Sequence, residues 1–220
     1  MPRTVSHPLF ARLYPRINAF AEAHGSLDHR RELLEGIRGR VVEVGAGAGA
    51  NFRHYPEHVE QLIAVEPKPR LRALAERAAG DAPVPVEVQT GLAEALPVAD
   101  GCADAVVLSL VLCTVPDVAA TLAEAARVLK PNGEMRFYEH TVSPRPRHAR
   151  LQRMLDPVWR RLGGGCHLAR DSERAILDAG FAIERVRRFD FRPNGRRNPS
   201  SPMIIGEARP SRAILERAEA

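Results

Sequence analysis

Glu43, Gly45, Gly47 and Gly49 stand in the segment VVEVGAGAGANF, residues 41–52, and their types and spacing suit one task, the holding of a nucleotide. Val41, Val42 and Val44 read as a short buried strand, and the glycines that follow place no side chain between backbone and ligand. Two nucleotides fit. Gly45, Gly47 and Ala50 match G-x-G-x-x-G/A, the fingerprint of NAD enzymes, whereas Glu43 with the three glycines gives E-x-G-x-G-x-G, the pattern of enzymes that use S-adenosylmethionine (SAM). Glu66, 21 positions after Gly45 at the end of the next strand-like run, is the first acidic residue placed to meet a ribose. A carboxylate there serves both nucleotides, so the choice stays open on these residues alone.

The other chemically capable side chains are more scattered. Cys102, Cys113 and Cys166 are far apart in sequence, form no C-x-x-C pair and have no His at metal-ligand spacing, which predicts reduced, buried thiols and no bound metal. Glu139 and His140 stand together in FYEH at the end of an apolar run. An imidazole titrates in the working range of most enzymes, so His140 is a candidate base; the alternative is that the Glu139–His140 pair bonds loop backbone and shapes a pocket.

The elements that must carry these residues follow from periodicity. Leu9, Phe10, Leu13, Tyr14, Ile17 and Phe20 recur at helical spacing, and a second helix is expected from Asp28 to about Ile37. Strand-like runs then recur at Leu62–Val65, Val84–Val88, Ala105–Leu110 and Met135–Tyr138, alternating with helical stretches at Pro69–Ala79 and Val118–Leu129. Such alternation makes a parallel sheet covered on both faces. A helix over Arg170–Ala179 leads into Ile183–Phe189 and, through RPNGRRNPSSP, into Met203–Ala208. Two strands joined without a helix should pair antiparallel. A sheet that begins as βαβ units and ends in a hairpin is the class I methyltransferase layout, whereas the NAD fold continues with parallel units.

Composition sets the outer limits. The chain has 220 residues, 45% hydrophobic and 27% charged, enough for one domain with a sizeable core. No apolar run approaches the roughly 20 residues of a membrane helix, and MPRTVSHPLFARLY lacks a continuous secretory core, so a cytoplasmic protein is expected. Residues 1–135 hold 14 Lys or Arg against 17 Asp or Glu, while residues 136–220 hold 18 against 10. The basic character is C-terminal. It admits an anionic partner, yet aromatic residues reach only 5%, few for stacking bases, so nucleic acid is not the expected substrate.

TGLAEALPVADGCADAVVLSLVLCTVPD followed by EAARVLKPNGEMRFYEH resembles the SAM-dependent class I methyltransferases. ANFRHYP, LSLVLCTV, FYEH, LDPVW and GCHLARDSERAI narrow the resemblance to the methyltransferase-like thiol S-methyltransferases, which in animals are membrane-anchored. It spans roughly residues 41–180. Three features depart from the family pattern: Ala46 and Ala48 replace Cys and Thr, Leu92 replaces an acidic residue, and the apolar anchor is missing.

The resemblance implies a Rossmann-like, seven-stranded, mostly parallel sheet with a C-terminal antiparallel hairpin and N-terminal helices. It divides the chain into an N-terminal helical lid segment at 1–38, the methyltransferase domain at 39–210 and a tail at 211–220. SAM is the implied cofactor, held by Glu43, Gly45, Ala46, Gly47, Gly49 and Asn51, by Glu66 and Pro67 at the ribose, by Ala93 and Glu94 at the adenine, and by Ser109, Leu110 and Val111 near the methyl. His140, Glu139, Asp156 and His167 are the implied catalytic group. Trp159, with Leu155 and Leu162 on a helix, either lines an acceptor pocket or joins the core. The acceptor implied is a small thiol, the runner-up being a quinone-like or phenolic molecule; a SAM-binding partner subunit without catalysis is the non-enzyme alternative.

Overall fold

Valine, branched at Cβ, packs well in strands, and two valine-rich runs make the centre of the sheet: β1 (Gly39–Val44) and β4 (Ala103–Ser109). Both are buried on both faces over most of their length, as strands between two helical layers must be. The computed structural model describes residues 19–211. Within them seven strands form one sheet, ordered β3-β2-β1-β4-β5-β7-β6, with β2 at Val59–Val65, β3 at Val86–Gln89, β5 at Leu129–His140, β6 at Phe181–Asp190 and β7 at Pro202–Pro210. β3, β2, β1, β4 and β5 run parallel, and β7 pairs antiparallel with both β5 and β6. Strand order reverses between β1 and β4, the kind of switch point at whose carboxyl edge open α/β sheets bind their ligands.

The period-2 alternation of β1 assigns its side chains to two cores. Val42 and Val44 face Leu122, Ala125 and Val128 of α3 (Val118–Val128) and Ile176 of α5 (Ser172–Asp178). Val41 faces Leu33 and Leu34 of α1 (Leu27–Leu34) and Ala75 of α2 (Pro69–Ala79). Glu43 therefore points to the α1 and α2 side. Aspartates cap two of the helices, Asp117 accepting from the Ala120 N–H and Asp171 from the Arg174 N–H. α4 (Pro146–Leu162) connects β5 to the segment before α5. Its exposed face carries Met154, Val158 and Leu162, and Trp159 joins neither core, its indole N–H being buried without a partner among the described residues. No described helix is long and apolar enough to cross a membrane.

The pattern-based boundaries hold best where helix signals are complete. α2 has both ends as expected. The second expected helix stops at Leu34 instead of Ile37, because Gly36 adopts φ 72° and turns the chain into β1. β3 starts at Val86, not Val84, since Pro83 and Pro85 offer no N–H to a ladder. β5 extends well beyond Met135–Tyr138 at both ends, absorbing KPNG through a register shift opposite Ala103 and Ala105. The expected helix over Leu9–Phe20 lies almost wholly outside the described residues, as does the tail beyond Ser211.

β7 lies between β5 and β6, and its Gly206 stands opposite Phe137 of β5 and Val186 of β6. A Cβ there would overlap the Arg185 carbonyl oxygen and stand 2.9 Å from Phe137 Cζ. Gly206→Val should therefore lower the melting temperature by roughly 3–10 °C, from an overpacking cost of about 1–3 kcal/mol. Thermal unfolding checks this, and an unchanged melting temperature would contradict the packing described.

Candidate active site

Gly45, Gly47 and Gly49 follow β1 at φ 65°, 61° and 77°, a left-handed backbone that residues with side chains rarely adopt. The reversal is tied to β2, because the Gly45 and Ala46 N–H groups donate to the Val65 carbonyl at 2.8 and 3.1 Å. Glu66 stands next, its carboxylate accepting from the Gly47 N–H and the Lys68 N–H, both at 2.9 Å, with Pro67 between. Burial raises its carboxyl above the usual value in spite of those two bonds. A carboxylate pinned against the glycine loop at the switch point is placed to meet a ribose.

Glu43 and Asn51 lie beneath this loop in a closed network. The Asn51 side-chain amide and the Tyr55 hydroxyl each donate to the Glu43 carboxylate at 2.8 Å, and Arg30 donates to Asn51 Oδ1 at 2.5 Å. The Gly91–Glu94 loop is closed by a bridge between Leu92 and Ala95, Ala93 packs on the core, and the Asp117 N–H reaches Glu94 at 3.4 Å.

At the end of β4 two observations point to a ligand. The Ser109 hydroxyl is buried without a partner among the described residues, a condition that costs free energy unless something bonds it. Leu110 takes φ 61°, left-handed without being glycine, and such strain concentrates at functional sites. With three left-handed glycines and the Glu66 carboxylate, these features fit a nucleoside-bearing cofactor.

The turn at Leu110 aims the next amides at Glu139. The N–H groups of Val111, Leu112 and Cys113 donate to its fully buried carboxylate at 2.8, 2.9 and 3.0 Å. Burial nevertheless pushes the Glu139 carboxyl well above its ordinary range. The same turn brings Cys113 beside His140, whose Nδ1 lies 3.6 Å from the Cys113 sulfur and 3.5 Å from that of Cys166. The neighbouring Cys166, together with burial, raises the Cys113 thiol far above its usual range. Burial lowers the His140 imidazole, and Cys113 and Glu139 outweigh it, so the net shift is upward.

Asp156 and His167 form a separate pair at 3.4 Å. Asp156 also accepts from the Leu168 N–H at 2.6 Å, which anchors the CHL segment on α4. That segment is stitched to the β4 loop. The His167 N–H donates to the Cys113 carbonyl at 2.7 Å, and Arg170 donates to the Leu112 and Val115 carbonyls at 2.6 and 2.8 Å. Glu139 and His140 are thus brought together with Ser109–Val111, whereas Asp156 and His167 support the segment that delivers Cys166. Sequence reasoning missed Cys113, Cys166 and Arg170. The available signal was that each lies inside one of the recognised segments, LSLVLCTV and GCHLARDSERAI.

Residues 42–137 match the model of the methyltransferase domain family. Thiol S-methyltransferase TMT1B of Rattus norvegicus is 36% identical over 174 residues, covering 76% of this chain and 69% of that protein. The Homo sapiens TMT1B is 31% identical over 212 residues, covering 91% and 84%. The chain belongs to the thiol S-methyltransferase family. Its fold is also that of a SAM-dependent methyltransferase from Mesorhizobium loti, with TM-score 0.62 at 21% identity over 83% of this chain and 96% of that one. The chain is a SAM-dependent methyltransferase with the class I fold, and SAM is its cofactor.

The Glu43 network carries a pH signature. Burial pushes the Glu43 carboxyl from 4.5 up to about 7, against the bonds from Tyr55 and Asn51. The folded chain holds this proton more tightly than the unfolded one, so the stability it contributes is full below pH 4.5 and is lost as pH rises through about 7. Glu43→Gln, close in shape and uncharged, should nearly match wild type at about pH 5 and exceed it by about 3 kcal/mol at about pH 8. Denaturant unfolding of both proteins across that range measures the gap, and a gap that does not change with pH would remove the protonated Glu43.

Proposed function

We propose that this methyltransferase transfers the methyl group of SAM to the sulfur of a small thiol. Support comes first from the thiol S-methyltransferases of rat and human, which match most of the chain. The single structural observation that carries the reading is the convergence of the Ser109–Cys113 turn and His140 at the carboxyl edge of the sheet, beside the glycine loop.

When bound, SAM supplies a methyl group made electrophilic by its sulfonium. The protein's task is then to hold donor and acceptor in line, an arrangement worth on the order of 7–11 kcal/mol. In this reading Gly45–Gly49 admit the methionine part, Glu66 holds the ribose hydroxyls, Ala93 and Glu94 border the adenine, and Ser109 bonds the cofactor with its otherwise unpartnered hydroxyl. Glu43 and Asn51 support the loop from below. Glu139 is a positioning residue, because its carboxylate is committed to three backbone amides. His140 stands on the acceptor side. A free thiol has a pKa of about 8.5 and reacts as thiolate, so that side must favour loss of its proton. Asp156, His167 and Arg170 hold the acceptor-side segment in place.

Two measurements test the reading. Labelled SAM offered with thiol, phenol, amine and RNA acceptors side by side should give labelled thioether as the main product; label in a phenol or quinone-like acceptor instead would move the substrate class. Glu66→Ala should weaken SAM binding roughly 10- to 100-fold, the equivalent of about 1.5–3 kcal/mol for charge-assisted bonds, while the circular dichroism stays that of wild type. Calorimetric titration reads this, and unchanged affinity would remove Glu66 from the ribose site.

A further inference from the structure

Two sulfurs converge on one nitrogen beside the proposed methyl-transfer position. Cys113 and Cys166 lie 3.6 and 3.5 Å from the same His140 Nδ1, and the three donor atoms all fall within 4.8 Å of one another. An imidazole nitrogen has either one N–H or one lone pair, so Nδ1 can serve only one of the two thiols well. The Cys113 sulfur has a further contact, 3.6 Å from the Thr114 hydroxyl. A metal ion explains both distances. Tetrahedral zinc, with Zn–S of about 2.3 Å and Zn–N of about 2.0–2.1 Å, sets neighbouring sulfur and nitrogen ligands roughly 3.5 Å apart.

The donors and their supports suit the same ion. Two thiolates and an imidazole form a soft set that selects zinc over magnesium or calcium. Three protein ligands also leave a fourth position open, as catalytic zinc sites do. Each ligand is held by a partner from another part of the fold. Glu139 fixes the turn carrying Cys113 through three amides, and the Ser172 hydroxyl donates to the His140 carbonyl at 2.9 Å. The Cys166 segment is pinned by the His167 N–H on the Cys113 carbonyl. Such outer partners hold ligands in register before an ion arrives.

We infer that Cys113, His140 and Cys166 bind one zinc ion, whose fourth position receives the sulfur of the acceptor thiol. The second half rests on the thiol reading above. Coordination would displace the acceptor's S–H proton to solvent. A lone pair of the resulting thiolate forms the new S–C bond to the methyl carbon. The bond from that carbon to the sulfonium sulfur breaks, and its electron pair stays on the departing sulfur, leaving two neutral thioethers. No oxidant or reductant is needed. His140 then acts as a ligand, and the zinc takes over the lowering of the thiol pKa that a general base would otherwise assist.

The test uses the full chain, reduced, stripped with a chelator and titrated with zinc alone. Wild type and Cys102→Ser, a change at the cysteine outside the cluster, should each take up about one zinc per chain. Cys113→Ser and Cys166→Ser should lose more than tenfold in zinc affinity while keeping wild-type SAM affinity. Cobalt in place of zinc should give a thiolate-to-metal charge-transfer band that both serine variants weaken. If wild type binds no more zinc than the Cys113→Ser, Cys166→Ser double variant, the site is overturned, and the wild-type titration stands even where a variant fails to fold. Thiol turnover that falls on stripping and returns with zinc supports the fourth-position role; turnover unchanged without metal overturns that role and leaves the thiol reading intact. Zinc uptake with methylation of phenols and not thiols would overturn the acceptor reading and leave the metal site standing.

Discussion

The buried carboxyl group of Glu139 is the constraint on which the turn after β4 and the segments packed on it depend. A carboxyl group removed from water costs free energy unless its oxygens are bonded; burial pushes that of Glu139 well above the ordinary range, and the amides of Val111, Leu112 and Cys113 act against this with three bonds. Those amides can turn toward it because Leu110 adopts a left-handed backbone, a conformation costing on the order of 1–3 kcal/mol by itself. Each part makes the other tolerable. The strained turn supplies donors, and the carboxylate gives the turn a reason to persist. Segments from both directions of the chain meet this turn: the His167 amide on Cys113 and Arg170 on Leu112 and Val115 from beyond it, and Gly45 from before it, where an added Cβ would stand 3.0 Å from Val111.

Glu43 poses the same physical problem on the other helical face, and the fold answers it differently. Its oxygens meet the side chains of Asn51 and Tyr55 in place of backbone amides. Asn51 is in turn held by Arg30, so the network joins β1, the segment after the glycine loop and α1. The glycine loop is thereby anchored below by side chains and alongside by the carbonyl of Val65. One carboxylate stiffens the glycine loop and the other the Leu110–Cys113 turn, and the alternation of side chains along a strand keeps Glu43 apart from the core on the opposite face.

Much of this was legible in the sequence, for reasons that can be named. The sheet was readable because parallel strands buried on both faces leave continuous apolar runs, and the hairpin because RPNGRRNPSSP is too rich in turn residues to be a crossover helix. The start of β3 was misread because a valine between two prolines looks strand-like yet has no complete ladder. Among the site residues, the glycine loop and Glu66 were local signals. The thiol–imidazole cluster was not: Cys113, His140 and Cys166 are 27 and 26 positions apart, and a pattern search for metal ligands weighs only short spacings. Their meeting depends on the order of strands and on a backbone turn at a leucine, a residue for which a left-handed conformation is rarely expected.

The antiparallel end of the sheet completes the site in a way a parallel strand could not. His140 pairs with Met203 near the start of β7, and the Thr141 N–H donates to the Pro202 carbonyl at 3.1 Å. Because β7 runs the opposite way, its first residues lie against the last residues of β5, so the strand end carrying His140 is supported by a neighbour that is itself in the sheet. A parallel neighbour would end at that edge and send its own loop across it. With β7 on one flank and the Leu110–Cys113 turn on the other, the remaining approach is taken by the segment from α4 to α5, where the Val142 N–H donates to the Arg170 carbonyl at 2.9 Å. Cys166 arrives on that segment. The cluster is therefore closed by three connections of different origin, one of them supplied by β7, the strand that runs against its neighbours.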